Sequence, residues 1–181
     1  MTQPGRLATV ALGAAVLLAA CSGLEPKDFS AVAPVFEPDR FFDGPIHAWG
    51  VEENGGLPTR SFTAELSSSR EGDTLSITET YSFSDGKSGQ RSWKLRRTDK
   101  HHYQASGSDL EGTVAGQVYG NALLLDGTMS GGPLGSGHMQ QWFYLQKDGG
   151  TVLGRLSLSG FMGFKSGEVA EVLRRETPAG Q

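Results

Sequence analysis

Thr74-Leu75-Ser76-Ile77-Thr78-Glu79-Thr80-Tyr81-Ser82-Phe83 is the stretch on which the reading of the fold turns. Leu75, Ile77, Tyr81 and Phe83 fall on one face, and Thr74, Ser76, Thr78, Thr80 and Ser82 on the other. Side chains alternate across a strand, so a strict period of two predicts a half-buried β-strand rather than a helix. The pattern spreads in both directions. Phe62, Ala64 and Leu66 oppose Ser61, Thr63 and Glu65 upstream, while Arg91, Trp93, Leu95 and Arg97 line one face downstream. Tyr103 and Ala105 follow, then Val114, Gly116 and Val118, then Leu123 and Leu125, then the Trp142–Leu145 run and Val152 to Ser159. Asp85-Gly86-Lys87-Ser88, Gly120-Asn121 and Asp148-Gly149-Gly150 are turn signals between these runs. The last run, Glu168 to Arg175, lies between Gly167 and Pro178, which would also bound a short helix. Its valines favour a closing strand.

Nine or ten antiparallel strands joined by short turns must hide their edges, and closure into a barrel is the simplest way. The expected fold is therefore all-β: a single antiparallel meander closing into a lipocalin-like barrel of roughly 8–10 strands. A sandwich is the alternative. The strands lack the lipid-facing apolar pattern of an outer-membrane barrel, and many outward positions are Ser, Thr, Lys and Gln.

The first 45 residues differ in character. Arg6 precedes an apolar run, Leu7 to Ala20, that is rich in Ala, Leu and Val. At about 14 residues it is too short to span a bilayer, which takes roughly 20, and it has the build of a secretory signal. Its ending, Leu18-Ala19-Ala20-Cys21, resembles a bacterial lipobox. That resemblance implies cleavage before Cys21, the only cysteine, and a diacylglyceryl group on its sulfur. Ser22, where an Asp retains enterobacterial lipoproteins at the inner membrane, favours the outer membrane facing the periplasm. The expected organisation is a signal peptide over 1–20, a lipidated N-terminus and tether over 21–40, a barrel domain over 41–176 and a disordered tail over 177–181. Pro26, Pro34, Pro38 and Pro45 forbid a long helix or central strand in the entry segment. Phe36, Phe41 and Phe42 are too apolar for a free linker, so its second half is expected to pack on the domain.

The whole chain carries 16 basic and 20 acidic residues. This balance and the lack of a basic stripe exclude nucleic acid as a partner. With Cys21 lipidated no disulfide can form, so the fold must stand on its core and hydrogen bonds.

Several short motifs resemble a known family. Phe41-Phe42-Asp43-Gly44-Pro45, Ala48-Trp49-Gly50, Tyr81-Ser82-Phe83-Ser84-Asp85-Gly86, Arg91-Ser92-Trp93, Gly116 with Gly120-Asn121-Ala122, and Trp142-Phe143-Tyr144-Leu145 look like the bacterial lipoprotein family called domain of unknown function 3833. The resemblance runs from about Phe41 to Arg175. It implies a small lipoprotein of Gram-negative bacteria and carries no activity, substrate or catalytic residue. The stretch Gly131-Gly132-Pro133-Leu134-Gly135-Ser136-Gly137 departs from the pattern and reads as a flexible loop.

Glu79 stands out because it interrupts the apolar face of its strand. A hairpin centred on Lys87 would set it opposite Leu95, with Trp93 and Arg97 diagonal to it, and Arg91 on the same face. A buried carboxylate needs a partner. Glu79, Arg91, Trp93 and Arg97 are thus either a polar recognition point in a ligand cavity or a buried ion pair closing one end of the barrel. The second is favoured, because buried charge pairs are usually structural. Trp49 opens the first strand and is similar in placement to the lipocalin tryptophan that plugs the barrel base, so a plug is preferred to a ligand stack. His101 and His102 must point to opposite faces, and His47 and His138 are isolated in sequence. No metal set, no cofactor motif and no nucleophile elbow is legible. Phe161, Met162 and Phe164 form either a pocket mouth or a core corner.

The expected function is a membrane-anchored, monomeric binding module for a small apolar or amphipathic ligand such as a lipid or fatty acyl chain. The alternative is a structural or assembly lipoprotein that binds another envelope protein. An enzyme acting on envelope lipid or glycan is the weakest of the three, and no catalytic residue is assigned.

Overall fold

The computed structural model describes residues 23–54, 57–131, 135–160 and 163–176. The expected signal peptide over 1–20, Cys21, the expected tail 177–181, Phe161, Met162 and the middle of the Gly131–Gly137 stretch lie outside the described residues.

Ten antiparallel strands follow one another: β1 (Ile46–Asn54), β2 (Leu57–Glu71), β3 (Thr74–Phe83), β4 (Ser88–Arg97), β5 (His102–Gly107), β6 (Val114–Tyr119), β7 (Ala122–Met129), β8 (Gly137–Leu145), β9 (Thr151–Ser159) and β10 (Lys165–Arg175). Each pairs with its sequence neighbour, and β1 pairs with β10, so the sheet closes into a barrel. The sandwich alternative is set aside by that ladder, which runs from Ile46 opposite Arg175 to Asn54 opposite Gly167. The Glu168–Arg175 run is the closing strand, as its valines favour.

The pleat sorts residues as the sequence alternation requires. Leu75 and Ile77 of β3, Trp93 and Leu95 of β4, Tyr103 and Ala105 of β5, Val114 and Val118 of β6 and Leu123 and Leu125 of β7 fill the barrel. Thr74, Ser76, Thr78 and Thr80 point outward. An apolar filling behind a hydroxylated exterior is the reverse of a membrane barrel's arrangement.

The β3–β4 hairpin is displaced from the expected register. Ser82 pairs with Ser88 and Glu79 with Arg91, so the turn centres on Asp85 and not on Lys87. Gly86 takes φ +81°, the left-handed conformation that closes a short hairpin, while Asp85 Oδ1 accepts the Lys87 N–H at 3.1 Å. Lys87 O already accepts the Phe83 N–H, and Ser88 begins the ladder. The shift of four residues is even, so the inward faces are unchanged.

Successive turns of a meander lie at alternate ends. At one end the chain before β1 forms a lid. A short helix, α1 (Pro38–Phe41), starts on a proline at its first turn and inserts Phe36, Phe41 and Phe42 into the barrel, where all three are buried. Phe42 meets Trp93 and Phe143 edge-on at 5.4 Å each. Polar contacts fix the lid. Tyr103 OH donates to Asp39 at 2.7 Å, Arg70 donates to Asp43 at 2.9 Å, and the Gly44 N–H donates to Ser68 Oγ at 2.8 Å.

The entry segment also packs earlier than its expected second half. A 3-10 turn over Pro26–Phe29 lays Phe29 against the outward rings of Trp142 and Tyr144, 5.9 and 5.5 Å away. Gly120, at φ +52°, lies so close to the Phe29 carbonyl that no Cβ would fit there.

Candidate functional site

The opposite end of the barrel, beside the β3–β4 and β5–β6 connections, holds a cavity of about 300 Å³. Its lining has an apolar part, Phe62, Phe83, Met129, Leu156 and Val169, and an ionic part, Glu79, Arg91, Asp109 and Glu171. Trp93 lies between this chamber and the Phe42 lid.

Glu79 sits at the centre of the ionic side and is buried. Trp93 Nε1 donates to its Oε1 at 2.7 Å, and the Tyr81 hydroxyl donates to its Oε2. Arg91 NH1 approaches Oε2 at 3.9 Å, while Arg91 Nε donates to Asp109 Oδ2 at 2.7 Å. Burial acts against the charge of Arg91, but Glu79 and Asp109 outweigh it and hold the guanidinium protonated. Burial, and then the charge of Glu79, push the Tyr81 hydroxyl pKa far up, so Tyr81 stays a donor. Asp109 Oδ1 is a buried acceptor with no hydrogen-bond partner among the described residues. At the rim, Arg60 Nε donates to the buried Glu52 at 2.6 Å, and its guanidinium lies 3.6 Å over the Phe83 ring.

Glu171 is the acid that the sequence reading missed. It faces Gly50 on β1 and Gly154 on β9 in the ladders. A Cβ on Gly154 would meet its Cγ at 2.5 Å, and one on Gly50 its Cβ at 3.0 Å. Gly154 thus makes room for the carboxyl against the wall, while Gly50 chiefly spares the Ala170 carbonyl and the Phe62 ring. Among the described residues its hydrogen bonding is confined to Gln141 Nε2, at 3.4 Å. Burial, reinforced by the charge of Glu79, raises its pKa from 4.5 to about 7.

Of the residues singled out beforehand, Glu79, Arg91 and Trp93 come together around the cavity. Arg97 does not. It keeps the same strand parity but reaches the lid end, where it is exposed, lies 5.9 Å from the Tyr103 ring and donates to Asp99 O. Trp49 does not plug the barrel interior. Ile46 and Ala48 occupy the inward parity of β1, so Trp49 points out and is 44% exposed. Phe41 and Phe42 do the plugging. Trp49 instead lines up with Val172 and Leu153 on the outer wall. Phe164 is 73% exposed.

The structure gathers one exposed group with metal-ligand chemistry, His47, Glu65 and Glu176. His47 Nδ1 contacts Glu65 at 2.7 Å and Nε2 contacts Glu176, so both ring nitrogens are engaged, and these hydrogen bonds raise the imidazole pKa. His101 stacks on Tyr119 while His102 pairs with Asp99, so the two rings part as alternation demands.

A closed antiparallel barrel with one capped end and one chambered end defines a protein of lipocalin-like architecture. The chain belongs to the family described as Protein of unknown function (DUF3833), whose model matches residues 15–175. No curated protein matches it by sequence. Among solved structures it is similar to the S-type phycobiliprotein lyase CPES from Guillardia theta, with TM-score 0.59, 6% identity, and coverage of 78% of this chain and 94% of that one. It is also similar to Rv2717c from M. tuberculosis, with TM-score 0.57, 16% identity, and coverage of 81% and 99%. At these identities the likeness is one of fold.

Two measurements check the site. Glu79→Ala removes the acceptor of Trp93 Nε1 and Tyr81 OH and the partner of Arg91, and should cost about 3–5 kcal/mol in denaturant unfolding. A surface pair would cost under about 1 kcal/mol. Glu171 titrates near 7 when folded and near 4.5 when unfolded, so the unfolded chain ionises first and stability falls as pH rises between those values. Glu171→Gln should therefore stabilise the protein by on the order of 3 kcal/mol at about pH 8 and have no effect near pH 4. Equal stabilisation at both pH values would show that Glu171 is not held in this environment.

Proposed function

We propose that the protein is a binding module that holds a small amphipathic ligand in the barrel mouth, tethered to the outer membrane through a lipid on Cys21 and facing the periplasm. The chamber carries this reading. Its 300 Å³ sit at the lower end of the range for small-ligand pockets, and its apolar side with a few convergent polar groups is their usual make-up. The fold likeness to a phycobiliprotein lyase is compatible with such a use. A structural or assembly role finds support in a different place, the exposed outer row of Trp49, Val172 and Leu153. The chamber favours the ligand reading.

The tether rests on the lipobox-like Leu18-Ala19-Ala20-Cys21, and lipid chains anchor by burying methylenes. Cys21→Ser should abolish acyl labelling and release the protein from the outer-membrane fraction. Unchanged labelling and fractionation would refute the anchor.

For the ligand, protein purified from its native membranes should release a stoichiometric small molecule on solvent extraction, identifiable by mass spectrometry. Val169→Phe, which fills the chamber, should remove it. A release no greater than that of the filled variant would refute the binding function.

A further inference from the structure

The cavity is short of cations. Four carboxylates line it, Glu52, Glu79, Asp109 and Glu171, against two half-buried guanidiniums, Arg60 and Arg91, and the exposed ammonium of Lys87, which pairs with Asp85 at 3.5 Å. Arg60 is taken by Glu52 and Asp85, and Arg91 by Asp109 and Glu79. Glu171 therefore has neither. Its one hydrogen bond, to the buried Gln141, is long, and the other atom of that amide, Oε1, accepts no hydrogen bond among the described residues. Asp109 Oδ1 is a further acceptor without a donor. Acceptors exceed donors among the ionic groups, and Phe62, Phe83, Leu156 and Val169 supply apolar surface in the same chamber, Val169 directly beside Glu171 on the inward face of β10. Gly154, whose Cβ would meet Glu171 Oε1 at 2.7 Å, leaves the wall open where the carboxyl lies.

We propose that the ligand is an amphipathic amine, whose ammonium group pairs with Glu171 and the Gln141 carbonyl while its hydrocarbon part lies on Phe62, Phe83, Leu156 and Val169. This rests on the binding function argued above and specifies its chemistry. A fatty acid would place its carboxylate against Glu79 and Glu171, with both guanidiniums already engaged and the Lys87 ammonium paired with Asp85 in solvent at the mouth, and like charges at close range in the chamber repel. An ammonium gains a charge-assisted hydrogen bond there, the stronger kind. Deprotonated Glu171 is the binding form, so amine affinity should rise with pH through the range in which Glu171 titrates.

The test is calorimetric titration of the full-length protein in lipid nanodiscs, with empty nanodiscs as the blank, using n-hexylamine, hexanoate and 1-hexanol. Hexylamine should bind about tenfold or more tightly than either of the others, since one charge-assisted bond corresponds to at least that factor. Its affinity should increase from about pH 6 to about pH 8, bracketing the Glu171 pKa of about 7. Glu171→Gln, expected to fold at least as stably as wild type, should abolish both the preference and the pH dependence. Gly154→Ala, which crowds the carboxyl, should weaken the amine while sparing hexanol. Equal or tighter binding of hexanoate or hexanol, or a preference that survives in Glu171→Gln, would overturn the amine assignment and leave the binding function standing. Failure of hexylamine to bind overturns the amine assignment as well. The binding function would then be judged by solvent extraction alone.

Discussion

The ladder between β1 and β10 is the constraint from which the rest follows. Without it the meander would present two long edges of unpaired N–H and C=O groups, open to other chains. With it, the inward positions along the middle of the strands are enclosed, and the apolar filling and the ionic chamber acquire a low-dielectric setting. Glu171 lies in that ladder, opposite Gly50. The same strand therefore closes the sheet and supplies the unmatched carboxyl.

Enclosure also explains why the ionic groups are so tightly interlinked. A charge inside a barrel is costly unless paired. Glu79 meets this with two hydrogen-bond donors and an ion pair, and Arg91 with two carboxylates. Glu171 meets it only in part, and its raised pKa is the physical expression of that shortfall. In an interior otherwise largely paired, this carboxyl, with the unpartnered Asp109 Oδ1 in the same lining, is the natural place for an external cation.

Much of the fold was legible because period-two alternation is local. Leu75 to Phe83, Phe62 to Leu66 and the final Val-rich run each declared their inward faces. Register was less legible, because it depends on which residue of a turn adopts positive φ. Gly86 rather than Lys87 closes the β3–β4 hairpin, and this moved Arg91 directly opposite Glu79. Trp49 was misplaced by analogy, although Ile46 and Ala48 already held the inward parity of its strand. Glu171 gave the same signal as Glu79, an acid between inward apolar residues, here Val169 and Leu173. A run bounded by Gly167 and Pro178 fits a short helix as well as a strand, and in a helix that alternation marks no inward face. Its glycine bracket appears only once β1, β10 and β9 are set side by side.

The alternation of turns between the two ends separates two duties that many small proteins must combine. The lid end holds α1, the phenylalanine cluster and the contacts of Tyr103, Arg70 and Ser68. The mouth end holds the β3–β4 and β5–β6 connections and the chamber. Insertions or substitutions in the mouth connections alter what the chamber accepts without touching the packing that keeps the barrel shut. One sealed framework can thus be fitted with different mouths, and relatives of this chain can diverge in what they hold while remaining alike in how they fold.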